Sequence, residues 1–253
     1  MIPKTPQELV IMKEGGRKLG NILLELLDFA GVGVSLQDIE DKATALIKKA
    51  GGTPSFTTVE GYHWATCLCV NEVVVHGIPN EYVLQNGDKL TIDIGMVYNG
   101  LHTDTAWTKL IGMAHDAEKE RFLKVGEEAL WKAISVAKAG NHIGDISQAL
   151  QSTIEGAGYS IVKSLVGHGV GNELHEDPQV PGYVRGNVNN TPVLLENETI
   201  AIEAIYAMGK GTIVYENDDG WTLSTRDRSL ASVFEHTIAI TKDRAIVLTK
   251  GEK

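Results

Sequence analysis

The spacing of apolar positions divides the chain into four stretches. Near the start, Thr5-Pro6-Gln7-Glu8 combines an N-cap residue, a proline at the first helical position and a glutamate three residues after the cap. Apolar residues then recur at helical spacing as far as Gly31, which predicts a first helix. Ser35 opens a second over SLQDIEDKATALIKKAGG, closed by Gly51 and Gly52. From Tyr62 the period shortens. The runs TCLCVNEVVVHGI, KLTIDIGMVY and LHTDTAWTKL are separated by Pro79, Gly87 and Asn99-Gly100, and read as an antiparallel sheet. An amphipathic helical run follows from His115 to Ala139, ending at Gly140, and another opens at Asp145 and ends near Gly156 to Gly158. Strand-like runs return after Gly182: VLLENETIAIEAIY, GTIVYE, WTLSTR and FEHTIAITKDRAIVL. The order helices, strands, helices, strands predicts two similar α+β halves whose sheets join, with helices on one face. No Pro/Gly/Ser-rich linker separates them, so residues 1–253 are expected to form one domain.

Composition narrows the classes. With 253 residues, 43% of them hydrophobic, the chain can bury a sizeable core. A formal net charge of -10 and a pI near 5.3 argue against direct nucleic-acid binding through a general basic footprint. Cys67 and Cys69 alternate within one apolar run, too constrained for an ordinary bridge, which points to a reducing compartment. The N-terminal stretch carries a proline and charges where a secretory apolar region would be uninterrupted, and no window reaches eighteen apolar residues. A cytoplasmic location with no membrane partner is expected.

Candidate chemistry lies where carboxylates interrupt apolar strands. Asp93 in TIDIG sits among strand-forming apolar residues, Glu203 in IAIEAIY is in a still more apolar setting with no Lys or Arg nearby in sequence, and an unpaired buried carboxylate is costly, so the site calls for a cation. Asn99-Gly100 is a strong two-residue hairpin signal. It pairs Tyr98 with Leu101, and counting back puts Asp93 opposite Ala106, with Asp104 a diagonal neighbour on the same face at roughly 7–8 Å. His168 and His175 fall in SLVGHGVGNELHEDPQVPGY, read as a glycine-rich loop in which a backbone can approach a ligand and an imidazole can bind metal or donate a proton. Glu235 adds a carboxylate at the start of another apolar strand; alone it would read as a solvated strand end.

The segments CLCVNEVVVHGIP, DIG with DTAWT, VGHGVGNELHEDPQVPGY, TIAIEA and DGWTLSTRDRSLASVFEHT together resemble the type I methionine aminopeptidases over nearly the whole chain. The resemblance implies an α/β (α+β) pita-bread fold, two pseudo-symmetric halves with a curved antiparallel sheet covered by helices. It implies a metal-dependent aminopeptidase that removes the initiator methionine from newly made polypeptides with water activated by two divalent metal ions. Asp93, Asp104, His168, Glu203 and Glu235 would be the ligands, with Asp104 and Glu235 bridging both ions. His76 and His175 would contact substrate and support catalysis, Glu203 would also relay a proton, and Tyr62, Cys67 and Trp221 would bound the methionine pocket. Mostly oxygen donors with one imidazole suit Mn, Fe, Co or Zn. The implied partners are N-terminal segments of nascent polypeptides, with the ribosome as a further candidate, and the implied state is a monomer. Two departures stand out: Ala204 where the family usually has proline, and Tyr62-His63-Trp64-Ala65 in place of a Gly-Phe-Pro-x-Ser run near the methionine pocket. The alternatives are a proline-specific aminopeptidase or dipeptidase of the same fold and, further off, a non-catalytic peptide-binding relative, which would be expected to lose ligands.

Overall fold

A computed structural model describes residues 3–113, 115–216 and 218–252. In chain order the elements are helices α1 (Pro6–Phe29) and α2 (Leu36–Lys49) and strands β1 (Thr53–Pro54), β2 (Thr66–Val70), β3 (Val73–Val75), β4 (Lys89–Tyr98) and β5 (Leu101–Leu110). Helices α3 (Ala117–Val136) and α4 (Ile143–Gly156) follow. The chain then forms β6 (Ser160–Ile161), β7 (Val166–Gly169), β8 (Glu176–Pro181), β9 (Thr199–Ala207), β10 (Ile213–Tyr215), β11 (Leu223–Thr225), β12 (Ala231–Ile240) and β13 (Ala245–Val247).

The helix starts follow from local chemistry. Thr5 with Glu8, and Ser35 with Asp38, form reciprocal capping boxes that satisfy amides left free at the first turns of α1 and α2. Asp145, expected to open α4, instead lies in its first turn and accepts a hydrogen bond from the His142 amide at 2.7 Å, so the helix starts at Ile143. At the other end of the connection, α3 stops at Val136 rather than Ala139. The amides of Ala139 and Gly140 leave the helical direction to reach the carbonyls of Thr241 and Leu194.

The hairpin β4–β5 has the register counted from its turn, Tyr98 opposite Leu101 and Asp93 opposite Ala106. Asn99 and Gly100 both take positive φ, 49° and 84°, as a type I′ turn requires. In the first sheet β4 pairs with β1, β2 and β5, and in the second the order is β13-β12-β9-β7-β8 with β6 also on β9. A small sheet, β10-β11-β3, flanks them. Threonines join the two main sheets where β5 runs against β12. Thr237 Oγ1 accepts from the Asp104 amide at 2.9 Å and donates to the Asp104 carbonyl at 2.7 Å, while Thr105 and Thr108 donate to the carbonyls of Glu235 and Val233. Side-chain hydroxyls thereby do across this seam what amide ladders do within each sheet.

Period-2 alternation sorts the strands into two faces. Leu90, Ile92, Ile94 and Met96 of β4 pack with Leu19, Leu23 and Ile39 of α1 and α2. Ile200, Ile202, Ala204 and Tyr206 of β9 pack with Phe122, Leu130 and Leu150 of α3 and α4. Each of the leucine, isoleucine, methionine and phenylalanine side chains contributes about 1.5–3 kcal/mol on full burial. The intervening residues, Asp93 and Glu203 among them, face away from the helices. Ala204, one position from Glu203, therefore fills the helix-side core instead of the substrate side.

The stretch expected as one glycine-rich loop is partly sheet. His168 lies within β7, and β8, for which the sequence reading had no strand, begins directly after His175. Glycine allows this: a Cβ at Gly167 would collide with the Ala201 carbonyl, so only glycine lets β7 lie this close to β9. Among the described residues no helix is long and apolar enough to cross a membrane.

Helix α3 sits on β9 and β12 through Gly126, where an added Cβ would strike the Tyr206 ring and Phe234. Gly126→Leu is expected to lower stability by about 1–3 kcal/mol through overpacking, read from chemical denaturation midpoints.

Candidate metal centre and substrate pocket

Five side chains from both halves converge where β5 meets β12. Asp93 comes from β4, Asp104 from β5, His168 from β7, Glu203 from β9 and Glu235 from β12, with Glu203 and Glu235 directly opposite each other in the β9–β12 ladder. Ligand atoms of Asp104, His168 and Glu235 all lie within 4.8 Å of one another, and His168 Nε2 is 3.8 Å from Glu203 Oε1. Asp104 and Glu235 are buried, and Asp93 and Glu203 are partly exposed, opening into a cavity of about 910 Å³.

Four carboxylates held this close in a partly dry setting repel one another. Burial pushes the Asp93 carboxyl up to about 7. Burial first, and then the charges of neighbouring carboxylates, raise Asp104, Glu203 and Glu235 well above the ordinary range. Asp93 Oδ1 and Glu235 Oε1 are buried with no hydrogen-bond partner, which is the observation that tests whether a cation belongs here. His168 points the same way. Its Nδ1 lies 2.8 Å from the Gly169 carbonyl, which can only accept, so Nδ1 carries the proton and Nε2 presents its lone pair toward Glu203. Burial, with His175 nearby, lowers the His168 imidazole to about 4, so the lone pair is available at neutral pH. An oxygen-rich donor set with one neutral imidazole fits divalent metal ions.

The cavity also receives the residues named for substrate. His175, just before β8, sets its ring edge-on to His168 at 4.5 Å between centroids. His76 faces Trp221 at 6.4 Å. Burial lowers the pKa of both, leaving neutral imidazoles that can donate N–H hydrogen bonds. His76 holds φ at 57°, a left-handed conformation that costs a Cβ-bearing residue about 1–3 kcal/mol and is kept here by the flanking pairing of the Gly77 carbonyl with the Leu68 amide.

Beside the carboxylates the wall turns apolar. Phe56, Val59, Tyr62, Cys67, Leu174 and Trp221 line it, with the Tyr62 ring edge-on to Phe56, Trp64 and Trp221 at 6.3, 5.3 and 5.1 Å. Tyr62 donates through its hydroxyl to the Thr66 carbonyl at 2.8 Å and reaches Cys67 Sγ at 3.2 Å. Cys67 and Cys69 are both free and buried. Phe56, Val59 and Leu174 were not singled out by sequence, since no periodicity marks a short turn or a loop as one wall of a pocket. Of the Tyr62–Ala65 departure only Tyr62 reaches the cavity; His63 is exposed and Ala65 packs against the core under α1 and α2.

A profile of Metallopeptidase family M24 matches residues 10–242. The chain belongs to this family. It is 42% identical over 250 residues to methionine aminopeptidase 1 of Bacillus subtilis (strain 168), covering 99% of each chain. With the methionine aminopeptidase of Clostridium perfringens it shares 36% over 249 residues and 98% of each chain. A crystal structure of the methionine aminopeptidase from Thermotoga maritima superposes with a TM-score of 0.95 at 40% identity, over 99% of both chains. A prolidase from Pyrococcus furiosus shares the fold, with a TM-score of 0.79 at 24% identity, but this chain covers only 66% of it. The architecture is the pita-bread fold expected from sequence, and the family is one of metallopeptidases that use divalent metal ions.

Two consequences can be measured. The raised carboxyls bind more protons folded than unfolded, so their contribution is present at low pH and is lost as pH rises through their folded values. The buried histidines act in the opposite direction only below about 6.5. Metal-free protein should therefore melt at a lower temperature at pH 8 than at pH 6.5, and Asp93→Asn should flatten the trend. Separately, Asp104→Asn should lower metal content and activity together, whereas His175→Ala should lower activity with metal retained; metal analysis beside a peptidase assay distinguishes them, and equal metal loss would contradict the division.

Proposed function

We propose that this chain is a methionyl aminopeptidase that removes the initiator methionine from newly made polypeptides. The observation carrying this reading is that one cavity holds both a cation-demanding carboxylate cluster and, beside it, an apolar aromatic-rich wall. Asp93, Asp104, His168, Glu203 and Glu235 would hold two divalent ions drawn from Mn, Fe, Co or Zn. When bound, such ions polarise a carbonyl and lower the pKa of water at neutral pH.

The chain's own residues supply the rest. Phe56, Val59, Tyr62, Cys67, Leu174 and Trp221 enclose an unbranched apolar side chain, and a thioether sulfur gains further from aromatic edges. His175, neutral near pH 7, donates a hydrogen bond to the oxygen of the scissile amide, which acquires charge as the carbonyl carbon becomes tetrahedral, and His76 serves the nitrogen, whose lone pair becomes an acceptor only in that tetrahedral state. Glu203, which reaches the cavity from β9, would take a proton from water and pass it to the leaving amine. Excluding water from the apolar wall strengthens each of these contacts.

Proline-directed activity on the same fold is the competing reading. Full-length similarity at 36–42% to chains named methionine aminopeptidase, against partial coverage of a prolidase, supports methionine removal. A monomer acting in the cytoplasm on nascent chains, with the ribosome as a further contact, completes the proposal. Purified protein supplied with Mn should release methionine from Met-Ala-Ser and leave Ala-Pro peptides intact, and chelation should abolish release. Cleavage of Ala-Pro in preference to Met-Ala-Ser would transfer the assignment to the proline-specific class, and no metal-dependent release from either would end the catalytic reading.

A further inference from the structure

The segment before α1 reaches into the back of the site. Lys4 is a buried lysine whose side chain is 1% exposed, and its Nζ lies 2.6 Å from Glu176 Oε2. Its backbone amide donates to the Asn197 carbonyl at 2.8 Å, just ahead of β9. The aliphatic stem crosses Gly171 so closely that a Cβ there would overlap Lys4 Cε. Glu176 uses its other oxygen, Oε1, to accept from the amides of Asn172 at 2.5 Å and Glu173 at 3.1 Å. Burial alone would push the Glu176 carboxyl up, yet the hydrogen bonds from Lys4 and from the Glu173 amide leave it below its ordinary value. On its far side the loop is tied to β5, where the His102 amide donates to the Gly171 carbonyl at 2.7 Å.

The two residues between these anchors are Leu174, which lines the apolar wall, and His175, whose ring meets His168. We propose that Lys4 is a positioning residue for this loop: its ammonium fixes Glu176, Glu176 fixes the Asn172 and Glu173 backbone, and the chain of contacts sets where Leu174 and His175 stand. A charge-assisted contact suits the task, because a buried ammonium loses heavily without its half-buried carboxylate partner, which gives the loop one preferred arrangement. The effect on turnover rests on the aminopeptidase reading; the effect on loop order does not.

The test uses the full chain with Mn added and compares wild type with Lys4→Met, Lys4→Arg, Glu176→Gln and the Lys4→Met/Glu176→Gln pair. Hydrogen exchange at the Asn172 and Glu173 amides should quicken by roughly tenfold or more in Lys4→Met, with amides of β9 and β12 unaffected. Release of methionine from Met-Ala-Ser should fall by roughly 10–100-fold in kcat/KM, mostly in kcat, with metal content retained. Lys4→Arg should recover most of both signals. Glu176→Gln, which keeps the side-chain volume, should give the same local exchange signature, and the pair should be no worse than Lys4→Met alone. A purely structural strap would lower the melting temperature while leaving exchange at Asn172 and Glu173 and the kcat of folded protein unchanged; that result, or strictly additive losses in the pair, overturns the proposal. Should Lys4→Met fail to fold, Glu176→Gln decides by the same exchange readout. If the wild type releases no methionine, the aminopeptidase reading falls, while the exchange comparison still judges the clamp.

Discussion

Repulsion among four carboxylates gathered at the seam between the two sheets is the constraint on which the rest of the molecule depends. Asp93, Asp104, Glu203 and Glu235 are each raised by burial, and two of their oxygens are buried without partners. An apolar protein interior would reject such a group, so the surrounding scaffold has to hold it together. Two helix-backed sheets do so, their cores lying on the faces away from the cluster. The threonine hydroxyls between β5 and β12 close the seam without inserting a strand. A divalent cation converts the same repulsion into attraction, which is why the donor set reads as a metal site and why metal and proton compete for it.

The cavity divides its labour along the chain. The carboxylates come from the long strands β4, β5, β9 and β12, and His168 from the four-residue β7 held between β8 and β9, so backbone ladders fix all five. The residues that would meet substrate come mainly from turns and loops: Phe56 and Val59 before β2, His76 after β3, Leu174 and His175 before β8, and Trp221 before β11. Those loops are held by specific polar contacts, such as Glu40 of α2 accepting from the amides of Ala65 and Thr66 at 2.6 and 3.0 Å, and Glu176 accepting from Asn172 and Glu173. Rigid strands suit ions that tolerate little displacement, and loops allow a pocket to change without disturbing them.

Reading the two halves from sequence succeeded because helix caps, the Asn99-Gly100 turn and period-2 alternation are local signals. They located α1, α2, β4 and β5 closely and marked the regions of β9 and β12 with looser bounds, and parity in the hairpin put Asp93 and Asp104 on one face. Failures fell where long-range contacts overrule local preference. His168 is in a strand because glycines let β7 press against β9, and α3 ends early because amides beyond it bond to distant carbonyls. Ala204, flagged by family comparison as close to the pocket, belongs to the core under α3, since neighbouring residues of a strand face opposite ways.

By itself the sequence determined the alternation of helical and strand regions, the placing of Asp93 and Asp104 on one sheet face, and the need for a cation beside Glu203, each following from periodicity or from the cost of burying charge. Through family resemblance it also named His168 and Glu235. Only the tertiary structure decided that all five side chains meet at one seam, that Nε2 is the free nitrogen of His168, and that Phe56, Val59 and Leu174 complete the apolar wall. It alone brought Lys4 to Glu176, 172 residues away along the chain. The reason is physical: periodicity carries information over a few residues, whereas a site built from both halves depends on how sheets pack, and that is settled by the whole core at once.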